Sequence, residues 1–329
     1  MDGGDRGPDA VSSLLGQDKA IDSFLGALRK GTPHHAWLLA GPRGVGKGKF
    51  ARMAAARALA ESAGPQPTAP GIELEGNHPT ARLLEAGSHP DWRLLERVMN
   101  KSGTNLARNI SIDQVRSLGH LFEVTPSMSD RRTVIIDAAD DMEAPAANAL
   151  LKMLEEPPSS TLFFLVTHAP GRLLPTIRSR CRRLDFQPLS EGDIATIVRD
   201  RLPKAGDPER LAALGQGSAG RAIAIAQQDL LPLAEEARRL MREGDPTGAA
   251  RAKLAKSLAT KAASERYASF LETLPGLIAD EARTSEGDRR ARALDAYAEA
   301  RETAAIAPRL SLDPGATVYR LGGVLASLA

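Results

Sequence analysis

Between Gly41 and Lys49 the chain reads GPRGVGKGK. Gly41, Gly46 and Lys47 meet the spacing of a phosphate-binding loop, G-x-x-x-x-G-K-[ST], up to its last position. Such a loop turns backbone N–H groups toward phosphate oxygens at a helix N-terminus, and its lysine adds charge. Gly41, Gly44 and Gly46 supply the backbone freedom, and Lys47 the ammonium. Position 48 should be Ser or Thr, whose hydroxyl ligates magnesium, and it is Gly48. Because magnesium usually keeps several waters, the loss is expected to harm metal positioning more than nucleotide affinity.

A second acidic part is expected at a strand end. TVIIDAADDM places Asp137 at the tip of an apolar run, where it would hold a metal through water. Hydrolysing relatives of this architecture follow that acid with a glutamate that orients the attacking water; here it is Ala138. Asp140 and Asp141 are displaced by two or three positions, and general-base work needs hydrogen-bond reach to the water. Thr167, ending LVT, is placed either to touch a γ-phosphate or to cap its strand. PTIRSRC carries Arg178 and Arg180 on an exposed turn, suited to an arginine finger toward a neighbour's nucleotide or to a surface ion pair. GSAGRA sets Arg221 at a helix start. The lone Cys181 reads as a small buried hydrophobe, and His34 and His35 as structural or base-contacting.

These parts need a scaffold. Helical patterns at 18–30 and 47–61 flank the loop, with the apolar run AWLLAG between them. Further runs at 133–137, 162–167 and 183–186 alternate with helical stretches at 112–122 and 145–155, which predicts an α/β layer with a parallel sheet. Residues 62–71, SAGPQPTAPG, read as a flexible surface loop. After Pro188 the strand-type runs stop. Short helices are expected at 191–201, 209–214 and 220–228, and helix-period patterns run from Leu231 to Leu328. The expected domains are 1–188 (α/β), 189–230 (small helical) and 231–329 (helical).

The chain has 329 residues, with 43 Lys and Arg against 41 Asp and Glu, a net charge of +2. Bulk charge therefore gives no attraction to nucleic acid, and any such contact must be a local patch. One cysteine excludes an internal disulfide and a cysteine-based zinc site. Residues 1–9 lack the apolar core of a signal peptide, and no apolar run nears the roughly 18 residues of a membrane span. A cytoplasmic protein without membrane attachment is expected.

Taken together, LLGQDKA, HHAWLLAGPRGVGKGKFA, VIIDAADDMEAPAANALLKMLEEPP and TIRSRC resemble the AAA+ clamp-loader family of bacterial DNA polymerase III, and within it the delta-prime branch. The resemblance is dense over 14–228, with NALLKMLEEPP its most specific piece. It implies an AAA+ P-loop domain, a helical lid and an all-α C-terminal collar in a five-subunit ring. It also implies a stator that loads the sliding clamp onto primer–template DNA with gamma/tau motor subunits and a delta subunit. Contacts would run through the collar and the Arg180 face. By resemblance Arg180 is the finger acting in trans, Thr167 sensor 1, Arg221 sensor 2 and Asp137 the second nucleotide motif. Many clamp-loader subunits carry a four-cysteine zinc module after the P-loop helix; with Cys181 alone, no zinc is expected. No cofactor is required on this reading, and ATP or ADP with magnesium is expected to bind weakly at most. The chain is not expected to catalyse alone.

Three other readings compete. A working gamma/tau-type ATPase is favoured by Gly41, Gly46 and Lys47 and opposed by Gly48 and Ala138. A P-loop small-molecule kinase is opposed by the long helical C-terminal part. A structural or DNA-binding role would use Arg131, Arg132, Lys101 and Arg108, though such charges are usually solvated surface.

Overall fold

A parallel strand covered by helices on both faces must be apolar on both faces, so its sequence is a continuous run and not an alternation. The computed structural model, which describes residues 14–31, 33–100 and 106–329, shows five strands in one sheet, of which the three central ones have this character. The strands are β1 (Ala36–Ala40), β2 (Trp92–Glu96), β3 (Arg132–Asp137), β4 (Thr161–Thr167) and β5 (Arg182–Asp185). All pairings are parallel, in the order β2-β3-β4-β1-β5. Residues 1–9 and Lys101 lie outside the described residues.

The chain divides into two units, the first ending at Pro188 and the second beginning at Leu189. In the first, α1 (Asp18–Arg29) and α2 (Lys47–Ser62) pack with Trp37, Leu39, Phe164 and Val166 on one sheet face. Phe24 meets Trp37, Phe50 and Phe164 edge-to-face at centroid distances of 5.4, 5.9 and 5.6 Å. Each such pair adds about 0.5–1.5 kcal/mol beyond burial and fixes α2 over the sheet. The short helix α3 (Pro79–Glu85) precedes β2. On the other face, α4 (Ile112–Arg116), α5 (Leu118–Phe122) and α6 (Ala144–Glu155) cover Leu38, Val134, Ile136 and Phe163. The short helix α7 (Pro175–Ser179) adds Ile177 to that layer.

Two local features differ from the sequence expectation. The stretch 112–122 is two helices broken at Ser117, the first held by a Ser111–Gln114 capping box. β2 is an additional edge strand: Arg93 and Glu96 interrupt its apolar pattern, because an edge needs only one buried neighbour.

The second unit is all helical: α8 (Glu191–Arg201), α9 (Pro208–Gly215), α10 (Ala219–Gln227), α11 (Leu231–Glu243), α12 (Ala249–Leu258), α13 (Ser264–Thr284), α14 (Gly287–Leu310) and α15 (Pro314–Ala326). Ser190, Asp207, Ser218 and Asp313 cap their helices through side-chain oxygens. One hydrophobic cluster runs through all eight, from Leu189 to Leu328. The Gln216 amide, just past α9, donates to the Gly276 carbonyl at 2.8 Å and ties α9 to α13. Among the described residues, no helix is long and apolar enough to cross a membrane.

Candidate phosphate-binding site

The loop between β1 and α2 lies at the carboxyl end of the sheet, where ligands of open α/β sheets bind. Gly41, Gly44 and Gly46 all have positive φ, at 154°, 73° and 99°. Gly46 is the N-cap of α2, has no side chain to satisfy the first amides, and is followed by no acidic residue in the first turn. The helix dipole at that end favours an anion.

Lys47 is buried, and its Nζ donates to the Gly41 carbonyl at 2.7 Å and to that of Pro42. Burial lowers its pKa to about 8, with Asp137 and Asp140 acting to raise it and Arg43 to lower it. Asp137 ends β3, and the register places it beside Val166, while Thr167 lies beside Ala40. Three strand ends thus converge on the loop. Burial raises the pKa of Asp137 against the opposing pull of Arg52 and Lys47.

Position 48 is more than a missing hydroxyl. A Cβ built on Gly48 would overlap Asp137 Oδ2 and lie 3.1 Å from Arg52 Nη1. The carboxylate therefore fills the space a Ser or Thr side chain would take. Arg52 Nη1 is 3.5 Å from that same Oδ2, and Nη2 is 3.6 Å from Glu96 Oε2 at the end of β2. The P-loop fold implies magnesium, whose protein ligands here would be a residue-48 hydroxyl and the Asp137 region. The first is absent and the second is paired with a guanidinium. This donor set does not fit the metal.

The neighbouring acids are committed elsewhere. Asp140 accepts the Thr167 hydroxyl, the His168 amide at 2.5 Å and the Ala169 amide at 3.2 Å. Asp141 pairs with Arg97 at 3.1 Å. Thr167 is fully buried and spends its hydroxyl proton on Asp140. Ala138 is buried and offers nothing to a water. Next to this cluster, His168 has a buried Nδ1 without a hydrogen bond. Burial and the nearby Lys47 and Arg43 lower its pKa to about 4, so the ring is neutral.

The remaining sequence candidates have partners of their own. Arg180 follows α7, with Nη2 2.8 Å from Glu155 Oε1 and Nη1 donating to the Thr176 carbonyl at 3.0 Å. Arg178 is exposed. Burial pushes the Cys181 thiol up to about 12, which removes it as a nucleophile. Arg221 belongs to the second unit, in the first turn of α10, where its amide donates to Ser218 Oγ at 3.1 Å. His34 and His35 stack at 4.5 Å just before β1.

Sequence reasoning missed three participants. Arg52 lies four residues after Gly48 on α2, a spacing that could have placed it on the same face; its partner Asp137 is remote in sequence. Gln17 is buried, donates to the Val45 and Gln187 carbonyls at 3.3 and 2.8 Å, and props the loop from behind. Glu155 holds Arg180.

Residues 16–190 match the family described as "DNA polymerase III, delta subunit". That span is more than half of the chain and contains the whole sheet and loop. The chain belongs to that family. It is 42% identical over 147 residues to the DNA polymerase III subunit delta' of Pseudomonas aeruginosa PAO1, covering 45% of this chain and 41% of that protein. The DNA polymerase III subunit gamma of Buchnera aphidicola subsp. Schizaphis graminum is 30% identical over 71% of this chain and 60% of its own length. A solved DNA polymerase III gamma subunit-related protein from Thermotoga maritima aligns over 93% of this chain and 99% of its own, with TM-score 0.47 and 18% identity. The chain spans about half the length of the delta' relatives it matches.

Proposed function

We propose that this member of the DNA polymerase III delta family is a stator of delta-prime type in the clamp loader, helping to place the sliding clamp on primed DNA. It does not turn over ATP itself and acts on a gamma/tau neighbour's nucleotide through Arg180. The observation that carries this reading is the geometry at position 48. No hydroxyl is present, a Cβ would overlap Asp137, and Arg52 holds the acid. With Ala138 next in sequence and Asp140 and Asp141 engaged, neither metal positioning nor water activation has its side chain. The greater identity to a delta' subunit than to a gamma subunit supports the same choice.

On this reading, residues 189–230 serve as a lid carrying Arg221, and 231–329 as a collar that binds gamma/tau and delta subunits. Exposed Leu294, Leu310, Leu312 and Tyr319 in that stretch are suited to such an interface. Gly41, Gly44, Gly46 and Lys47 keep an anion-binding loop, Asp137 and Thr167 flank it, and contact with primer–template DNA comes through the complex.

The test is DNA- and clamp-stimulated ATP hydrolysis by a reconstituted loader, wild type against Arg180→Ala, with assembly checked by gel filtration. Arginine fingers are worth about 10³–10⁵ in rate at the site they serve. The expected outcome is loss of turnover at the one site facing Arg180, an intact ring, and no turnover by the isolated chain. Turnover by this chain alone would instead favour a gamma/tau-type motor.

A further inference from the structure

In a phosphate-binding loop, a divalent cation normally sits between the loop hydroxyl and the strand-end acid, where it offsets phosphate charge. The corresponding place here is held by the protein itself. Gly48 brings no oxygen, Asp137 Oδ2 lies where a residue-48 side chain would stand, and Arg52 Nη1 reaches both, 3.5 Å from the carboxylate. Glu96 takes the other Nη of Arg52 at 3.6 Å, so acids from the ends of β2 and β3 orient one guanidinium. That guanidinium is about a quarter exposed, at 27%, which leaves it open to a ligand's oxygens.

The charges in the cluster close without a metal. Asp137 faces both Lys47 and Arg52, Arg52 also meets Glu96, and Asp140 and Arg43 add one charge of each sign beside Lys47. A divalent ion here would meet a fixed guanidinium of like sign and an acid already engaged. An arginine can also do for a phosphate what the metal does, since its planar fork binds two oxygens at once and never loses its charge. From this disagreement between the fold's usual metal and the residues present, we infer that Arg52 is the resident cation of this loop. The phosphates of a nucleoside di- or triphosphate therefore bind without magnesium. The inference rests on the reading of the loop as a non-hydrolysing remnant, because it assigns no step to the bound nucleotide.

The measurement is calorimetric titration of the full chain with ADP, in millimolar magnesium and again in EDTA. Binding is expected to be as tight in EDTA as in magnesium, or tighter. Arg52→Gln should lower the EDTA affinity about 10- to 100-fold, the worth of a charge-assisted hydrogen bond, while Arg52→Lys, which keeps the charge but loses the two-oxygen fork, restores only part of it. The wild-type comparison needs no variant, and circular dichroism checks that both variants fold. Affinity lost on adding EDTA to the wild type would overturn the inference, as would an unchanged Arg52→Gln or no binding in either buffer. None of those results bears on Arg180, so a stator that fails here would still show its fall in ring turnover on Arg180→Ala. Conversely, magnesium-free binding with a silent Arg180→Ala would leave the cation assignment standing and remove the stator.

Discussion

Gly48 carries a hydrogen where every other residue carries a side chain, and in this loop that difference decides where Asp137 can sit. The carboxylate approaches the α2 backbone so closely that a side chain at 48 must displace it. Gly48→Thr gains roughly a few tenths of a kcal/mol in helix propensity. The atoms it must push aside, Asp137 Oδ2 and Arg52 Nη1, are the ends of side chains, so the cost is their partly exposed ion pair, about 0–1 kcal/mol. The two terms nearly cancel. The expected result is a urea midpoint close to that of the wild type and still no ATP turnover, because Ala138 remains. A clearly lowered midpoint would mean that Asp137 cannot swing away and that the contact is closed. The motif's glycines and lysine could be read from spacing alone. The obstruction could not, since it joins positions on α2 and β3 that only the sheet brings together.

At the scale of elements, the segment between α2 and α3 shows how composition misleads. Proline and glycine mark 62–71 as a flexible loop, yet the structure ties it down at several points. Arg57, buried in α2, pairs with Glu61 at 2.6 Å and donates to the Ala69 carbonyl at 2.7 Å. His78 Nε2 lies 2.9 Å from the Pro65 carbonyl, and Ile72 is fully buried. The Glu75 carboxylate accepts the amides of Thr68 and Ala69, both at 2.8 Å, and the Thr68 hydroxyl. Those bonds, the Thr68 hydroxyl first, hold its pKa down to about 2. A carboxyl depressed in the folded state contributes stability above its unfolded pKa, and that contribution is lost as pH falls toward the folded value. The loop should thus loosen as pH falls from about 4.5 toward 2. Glu75→Gln should bring the same loosening at neutral pH, read as faster hydrogen exchange at Thr68 and Ala69. Protection that survives Glu75→Gln would assign the loop's order to Arg57 and Ile72 alone. Four strands were legible: β1, β3 and β4, buried on both faces and so carrying apolar runs, and β5, read at 183–186. β2 was not, because an edge strand tolerates Arg93 and Glu96, and their charges hide its run.

At the scale of the molecule, burial sorts the chain into an α/β unit and a helical unit, and the change of character after Pro188 marks that division in the sequence. A further division near residue 230 follows chain composition, whereas the hydrophobic cluster does not break there: Ile194, Leu211 and Ile225 belong with Phe270, Leu274 and Val318. Helical periodicity identifies which face of each helix is buried but not which helix covers it, so the shared core was beyond sequence reading. Sharing has a thermodynamic consequence. Residues in one close-packed core lose stability together when that core is opened. Phe270 on α13 is 2% exposed, and Phe270→Ala should cost about 3–5 kcal/mol. Native-state hydrogen exchange should then show α8–α10 losing protection by the same free energy as α11–α15. If α8–α10 keep their protection while α11–α15 lose theirs, the small helical segment is an independent folding unit, and a lid that moves against its collar becomes the better description of 189–329.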